Sequence, residues 1–323
     1  MNPEVFAEWL RRQGHRVVRT QSSYWFDQGP RVFQAFPYHW VIEPEEQELT
    51  EFLIAQKAIA LRYSTPLDAP EGCVSYHTIY ARPNYDLSDV GPKSRSQVRH
   101  GLRVCKVGPI SFDKFAAEGF RMQQDTMKRQ GGRSRMSKEQ WECMARAAST
   151  LDGFEVWGAS VGDQMGACIM FVRVDDCISI LFQQSDSNFL AHRVNNALTF
   201  ALTQNLVLRP QVRTINYGLH SLDALPGVDQ FKINMGYTVK PLRQRVVFHP
   251  WIPDGALHLV HSLLPVLRTL DPRNSTFAKV EGLVRFNLAG RKPLFQQEFP
   301  EALEASQKGL LDACSVPAIH SIR

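Results

Sequence analysis

The sequence lacks several patterns that would assign a function directly. It has no run of about eighteen apolar residues, so no membrane span is expected, and its polar N-terminus lacks the apolar centre of a signal peptide. Neither a GxGxxG loop nor a GxxxxGK[ST] loop is present, which argues against the common nucleotide-binding motifs. There is also no GxSxG elbow and no Ser-His-Asp order, so the sequence does not indicate a serine hydrolase.

The cysteines are few and scattered. They form no C-x-x-C pair, and none has a histidine at zinc-ligand spacing. The six residues are Cys73, Cys105, Cys143, Cys168, Cys177 and Cys314. This pattern is typical of reduced, mostly buried thiols in a cytoplasmic protein, and we expect no metal cofactor.

The length and composition are those of a folded protein. With 323 residues and 44% apolar residues, the chain can form a sizeable core and about two domains of ordinary size. The formal net charge of +5 is a mild basic excess. Such an excess suits an anionic partner, although it is too small to require nucleic-acid binding.

Hydrophobic periodicity predicts alternating helices and strands in the first hundred residues. Helices are expected over 3–13 and from Pro44, and strands over 16–20, 31–42, 58–64 and 73–81. A further helix over 94–104 lies between Gly91-Pro92 and Gly108-Pro109, which mark a boundary. We therefore predict an N-terminal domain over 1–104.

The second half has a more distinctive order of elements. Two helices lead into three strands over 154–161, 166–174 and 177–185, with tight turns at Gly162-Asp163 and Asp175-Asp176. A polar loop and long helix over 186–206, a short strand, a helical turn and a last strand follow. The pattern predicts an α+β domain over 105–250 and a helical extension over 251–323.

Three motifs in this order resemble the FemAB-like branch of the GNAT (acyl-CoA N-acyltransferase) superfamily. The first is Ser94-Arg95-x-x-Val98-Arg99, which matches a helix that joins two lobes in that branch. The others are Asn216-Tyr217-Gly218 and the segment "FKINMG", residues 231–236. The resemblance covers about residues 55 to 250 and implies tandem GNAT-like lobes, each a mixed, mostly antiparallel sheet flanked by helices.

The resemblance also implies where an anionic acyl carrier would bind. In GNAT enzymes the carrier's pyrophosphate lies on the N–H groups at a helix N-terminus, where the helix dipole favours anions. The corresponding residues here are Ser187, Asn188, Arg193, Asn195 and Asn196. Arg193 matches the first position of the family's [QR]-x-x-G-x-[GA] pattern, whereas Asn196 and Leu198 stand at the glycine positions.

Six residues are candidates for the chemistry of acyl transfer. Lys232 follows Phe231 in the family motif, and the resemblance implies that its charge lies near the acyl donor. The candidates for the group that removes the amine's proton are Asp186, Asp223, Glu155, Tyr217 and His220. Each also has a plainer interpretation, as a turn residue, a core residue or an exposed lysine with a packed stem.

A basic stripe lies on the helix between the predicted lobes. Arg95, Arg99 and Arg103 are spaced i, i+4, i+8 and therefore share one helical face. No acidic residue occurs between Asp89 and Asp113 to balance them. The stripe would suit a phosphate-bearing ligand, and a solvated face is the alternative.

The sequence thus favours an N-acyltransferase that uses acyl-CoA or a similar activated carrier. The acceptor would be an amine of a small molecule, peptide or sugar. Two alternatives stay open at this point. One is an aminoacyl-tRNA-dependent transferase, since several members of the FemAB-like branch take their acyl group from aminoacyl-tRNA, and the other is a GNAT-fold binding protein without catalysis.

Overall fold

We describe the fold from a computed structural model of the chain. It describes residues 2–29, 31–130, 136–220, 228–270 and 275–315.

The strands within these ranges form one mixed sheet. Their bounds are β1 Val17–Arg19, β2 Tyr24–Gly29, β3 Val32–Phe36, β4 Ala60–Thr65, β5 Cys73–Tyr80, β6 Lys106–Pro109, β7 Phe154–Val161, β8 Gln164–Val174, β9 Cys177–Ser185, β10 Thr214–Leu219 and β11 Thr238–Phe248. The spatial order is β1-β2-β3-β4-β11-β5-β10-β9-β8-β7-β6. Only β3–β4 and β9–β10 pair in parallel among the described strands, so the sheet is mostly antiparallel.

Helices flank the sheet and follow it at the C-terminal end. Their bounds are α1 Glu4–Arg12, α2 Glu46–Ala55, α3 Pro92–Val104, α4 Phe112–Arg129, α5 Lys138–Ser149, α6 Val194–Val207, α7 Val228–Asn234, α8 Asp254–Leu270, α9 Ser275–Gly290, α10 Glu301–Glu304 and α11 Gln307–Ser315. Short 3₁₀ helices occupy Ser187–His192 and Leu294–Gln296. The α+β class and the helical C-terminal portion are therefore confirmed.

The core lies on both faces of the sheet. In β8, Met170 and Val172 belong to a cluster with α1, α4 and α5, while Ile169 and Phe171 belong to a cluster with α6. Successive residues of a strand point to opposite faces, so this alternation requires cover on both sides. The nearly continuous apolar run of β8 reflects that double burial.

The elements of the second half follow the predicted order closely. Strands β7 and β9 match the predicted bounds, and Gly162 and Asp175 take positive φ angles at the two predicted turns. The predicted polar loop contains a 3₁₀ helix, and Arg193, with a φ of 60°, separates it from the predicted long helix, α6. Asp186 is the N-cap of that 3₁₀ helix, because its side chain accepts a hydrogen bond from the Asn188 N–H.

Two details of the first half differ from the prediction. The strand expected over 31–42 ends at Phe36, because Pro37 follows and lacks the N–H that a strand ladder requires. The strand β2 was not predicted. Its sequence, "YWFDQG", combines three consecutive aromatics with polar residues and gives no alternation over its length.

The sheet is continuous across residue 104, where we predicted a domain boundary. Strand β11 follows α7 in the second half of the sequence, yet it lies between β4 and β5 from the first half. The division into domains over 1–104, 105–250 and 251–323 stays a prediction about folding units.

Candidate active site

The parallel strands β9 and β10 stop pairing part-way along their length, and we call the unpaired region between them the opening. They pair only over three residues, from Thr214 opposite Cys177 to Asn216 opposite Ser179. Beyond that point β9 continues to Ser185, while a register shift at Gly218 (φ 132°) keeps β10 against β5. Such an opening exposes strand edges that can bind an extended ligand.

Polar side chains from three elements line the α6 side of this opening. The Gln183 amide donates to Asn195 Oδ1 (3.3 Å) and to Thr199 Oγ1 (3.2 Å). Thr199 Oγ1 in turn lies 3.3 Å from the Tyr217 hydroxyl. The network joins β9, α6 and β10 and therefore fixes the width of the opening.

A cluster of charged and polar groups lies beside β10, around Asp229. Its carboxylate accepts hydrogen bonds from Lys232 Nζ (2.7 Å) and the Tyr76 hydroxyl (2.6 Å), and His220 Nδ1 lies 3.3 Å away. These side chains are largely buried, with 12% exposure for Lys232, 16% for Asp229 and 21% for His220. We call the four residues the Asp229 cluster.

The cluster keeps Asp229 ionised. Burial of the carboxyl group opposes ionisation, but hydrogen bonds from His220, Lys232 and Tyr76 and the charge of Lys232 outweigh it, so the pKa of Asp229 is held well below its usual range. Burial and the hydrogen bond to Asp229 raise the pKa of Tyr76. Tyr76 is therefore a donor at neutral pH, and Lys232 and Asp229 form an ion pair.

Lys232 also faces the opening. Its Nζ lies 5.6 Å from the centre of the Tyr217 ring, a distance at which a cation is attracted to the ring face. A Cβ placed on Gly218 would lie 3.9 Å from the same Nζ. The ammonium therefore reaches the point at which β10 departs from β9.

Buried hydrogen bonds hold His220 in place. Its carbonyl oxygen accepts from the Gln244 amide (2.9 Å), which also donates to Ser75 Oγ (2.8 Å). The Gln244 amide oxygen accepts from Arg62 Nε (2.8 Å). Because Gln244 and Ser75 are fully buried, this network fixes the backbone from which the His220 imidazole projects.

Asp186 has structural partners. Its buried carboxylate forms an ion pair with Arg121 and accepts the Asn188 N–H (2.9 Å). Thus the structure brings Tyr217, His220 and Lys232 together at one end of β10, whereas Asp186 lies at the end of β9.

The five predicted carrier-binding residues lie at the junction of the 3₁₀ helix and α6. Ser187 donates to Asp125 through its N–H (2.7 Å) and its hydroxyl (2.6 Å). The Asn195 amide donates to Ser185 Oγ (3.0 Å), and the buried Asn196 amide donates to Gln97 (3.3 Å). Arg193 is exposed at the N-cap of α6.

The first turn of α6 is closely packed on α3. A Cβ on Gly101 would lie 2.8 Å from the Arg193 carbonyl oxygen and 2.9 Å from the Ala197 Cβ. Leu198, which stands at a glycine position of the family pattern, is fully buried. Any anion that binds here must therefore approach on the exposed side of Arg193.

The three arginines of the α3 stripe differ in their contacts. Arg95 donates to the carbonyl oxygens of Val90 (2.7 Å) and Ser88 (3.1 Å) and so stabilises the preceding loop. Arg99 and Arg103 are exposed and have no ion pair or hydrogen bond with a described residue. Only these two are available to a ligand without breaking an internal contact.

The sequence interpretation did not identify Asp229 and Tyr76. Asp229 stands three residues before Lys232, a spacing that places two side chains on one face of a helix, and this signal was available. No local pattern in the sequence indicated Tyr76, because it lies near Asp229 only through the pairing of β5 with β10.

Metal-binding groups and membrane-spanning helices were also sought in the described residues. The described part of the chain contains no group of three or more His, Cys, Asp or Glu that could hold a metal ion. Among its helices, none is both long and apolar enough to cross a bilayer.

Comparison with solved structures supports the fold. The C-terminal domain of a protein named as a lysylphosphatidylglycerol synthetase, from Agrobacterium fabrum, aligns with a TM-score of 0.53 and 12% identity over 80% of this chain and 91% of that one. FemX aligns with a TM-score of 0.54 and 11% identity over 76% and 90%. L-PGS from Bacillus licheniformis aligns with a TM-score of 0.50 and 11% identity over 82% and 96%.

Searches by sequence gave no match. No protein-family model matches the chain, and no curated protein does. At these identities the structural likeness concerns the fold alone. The chain therefore shares its overall fold with FemX and with these two other structures.

Proposed function

We propose that the protein is an N-acyltransferase that moves an acyl group from acyl-CoA, or a similar activated carrier, to an amine. The observation that carries the proposal is the opening between β9 and β10 with Lys232 at its edge. A GNAT-type transferase fold supports the same reaction class.

The chemistry needs a stabilised oxyanion and a neutral amine. The amine nitrogen attacks the acyl carbonyl carbon, the carbonyl oxygen gains negative charge, and the bond to the carrier then breaks. The Lys232 ammonium would stabilise the oxyanion by donating a hydrogen bond, because Asp229 holds it at the edge of the opening and an ammonium has three N–H donors.

His220 is the proposed acceptor of the amine's proton. Its Nδ1 faces the ionised Asp229, which favours the tautomer with the proton on Nδ1. The Nε2 lone pair is then available as a base, directly or through a water molecule. Asp229 thus would position both His220 and Lys232, a pairing of roles that the sequence alone did not suggest.

The experiment tests donor binding and transfer separately. Acetyl-CoA is titrated into the protein by calorimetry, and thiol release is then followed with a panel of small amines, an amino sugar and a peptide with a free N-terminus. We expect saturable binding and amine-dependent thiol release, and Lys232→Met should reduce release by about 100-fold. Acetyl-CoA that neither binds nor reacts would reject acyl-CoA as the donor.

A second donor, aminoacyl-tRNA, is favoured by one observation. The first turn of α6 is packed on α3, while Arg99 and Arg103 on α3 are exposed. This donor predicts that the protein retains total tRNA on a filter, with affinity that falls steeply with salt, because each neutralised phosphate releases counterions. Replacing both arginines with glutamine should then weaken retention, and unchanged retention would count against α3 as the contact.

If neither donor binds, the protein is a GNAT-fold binding module and the transferase proposal is wrong.

A further inference from the structure

An apolar groove lies at the edge of the first half of the protein, and its residues are different from those of the Asp229 cluster. It measures about 510 Å³ and is lined by Arg31 before β3, the end of α2, the loop between α2 and β4, and the segment after β11. Three side chains on it are strongly exposed, with 88% for Trp251, 58% for Ile54 and 39% for Ile59. Large apolar groups at such exposure mark an interaction surface when they lie together.

Backbone hydrogen bonds connect the segments that form the groove. The Ile59 N–H donates to the Arg31 carbonyl (2.7 Å), and the His249 N–H donates to the Ile59 carbonyl (2.8 Å). Trp251 is held by its own N–H, which donates to His249 Nδ1 (3.1 Å), and by a ring contact with His249 at 5.0 Å. The exposed apolar groups therefore have fixed positions.

Two cations border the groove. Arg31 and Lys57 line it, and no acidic residue does. Neither side chain makes an ion pair or hydrogen bond with a described residue, so both charges are available to a partner.

Both cations stand where the backbone disfavours them. Arg31 has a φ of 60° and Lys57 a φ of 50°, values in the left-handed region that glycine or asparagine adopts more easily. Lys57 follows the C-terminus of α2, a position where glycine is common. The two cations therefore lie on turns that border the same groove.

The combination fits an anionic bilayer surface. Tryptophan and aliphatic side chains enter the boundary between headgroups and acyl chains, while arginine and lysine reach the phosphates. The helix α8, which begins three residues after Trp251, also exposes Leu259 and Leu263 one turn apart. We propose that Trp251, Ile54 and Ile59, with Arg31 and Lys57, dock the protein on an anionic membrane surface.

The test is co-sedimentation of the full chain with vesicles. Equal parts of phosphatidylglycerol and phosphatidylcholine form the anionic vesicles, and phosphatidylcholine alone forms the neutral ones. We expect sedimentation with the anionic vesicles and a loss of about tenfold in partitioning for Trp251→Ser. Leu208→Ser, which truncates a 70% exposed leucine after α6, is the matched control and should sediment as the parent does.

A second variant separates charge from folding. Arg31→Gly with Lys57→Gly removes both cations and places glycine at the two left-handed positions, so thermal stability should be equal or higher. Partitioning should nevertheless fall several-fold, and more at low salt than at high salt.

Three outcomes would overturn the proposal. They are no sedimentation of the parent protein, equal sedimentation with neutral and anionic vesicles, and unchanged binding in both variants. A doubled mass in light scattering that Trp251→Ser abolishes, without vesicle binding, would assign the groove to a second copy of the chain. The transferase proposal does not depend on any of these results.

Discussion

The two parallel strand pairs of the sheet have the same topology and different chemistry. Strands β3 and β4 are connected through α2, and β9 and β10 through α6, and each pair is in register over only three residues. In the first half the space beyond the pairing is closed, because the Ile42 N–H donates to the Ser64 carbonyl (2.9 Å). In the second half Gln183, Thr199 and Tyr217 line an opening.

The N-termini of α2 and α6 also differ, in the charges that surround them. Helix α2 begins after Glu45 and has Glu46 and Glu48 in its first turn, whereas α6 begins after Arg193 and has no acidic residue in its first turn. An anionic carrier would be repelled at the first and attracted at the second. This difference in charge supports our proposal that the carrier binds at the N-terminus of α6 and not at that of α2.

The largest effect on the proposed second-half site is expected when the charge of Lys232 is removed. Lys232→Met should lower the rate of acyl transfer by about 100-fold to 1,000-fold, because the oxyanion loses its buried cation. Rates are measured at saturating donor. Lys93→Met, an exposed lysine at the start of α3, is the control and should keep the parental rate. Equal rates for both variants would remove Lys232 from the chemistry.

The corner between α7 and β11 tests how firmly the Asp229 cluster is held. Gly236 has a φ of 90°, and a Cβ there would lie 2.7 Å from the Asp89 carbonyl oxygen. Gly236→Ala should therefore cost about 2–4 kcal/mol of unfolding free energy. Gly14→Ala is the matched control, since its φ is 84° with no atom within 4 Å, and should cost about 1 kcal/mol. Urea unfolding measures both, and equal losses would contradict the close approach to Asp89.

The pH dependence of the unfolding free energy tests the burial of His77, which lies where the two halves of the sheet meet. His77 on β5 lies 3.1 Å from Ser64 Oγ on β4, and burial lowers its pKa from 6.5 to about 3. The folded protein therefore keeps His77 neutral, whereas the unfolded chain takes up a proton below about pH 6.5. The stability from His77 is complete above that pH and is lost as the pH falls toward 3, by at most about 1.4 kcal/mol per pH unit.

His77→Gln measures this contribution. Unfolding free energies are compared between about pH 7.5 and pH 5, and the variant should lose less stability over that interval than the parent. Burial also lowers the pKa of His39, so a reduced slope is expected to persist in the variant. Parallel curves for the two proteins would show that His77 does not stay neutral on folding.

The smallest effect is expected at the two helix N-termini. Arg193→Gln should weaken donor binding about threefold to fivefold, the size of one exposed charge near a helix terminus, and leave the maximal rate unchanged. Glu45→Gln, at the corresponding place on α2, should change neither quantity. A larger effect of Glu45→Gln would reverse the comparison.

Local patterns predicted much of the fold and part of the site. Strands β7 and β9 and the turns at Gly162 and Asp175 were predicted from the sequence and are confirmed. Asp223, one of the candidates for the proton acceptor, lies outside the described residues. Glu155 pairs with Arg209 through two nitrogens and so has a structural partner.

Most of the order of helices and strands, and the interest of Lys232, could be predicted from the sequence alone. Both follow from local rules, because periodicity, turn residues and caps act over a few neighbouring positions. Only the tertiary structure decided that β11 lies between β4 and β5, and that Tyr76, His220 and Lys232 meet at Asp229. The contacts at Asp229 join residues up to 153 positions apart, and strand pairing, which no local pattern encodes, brings them together.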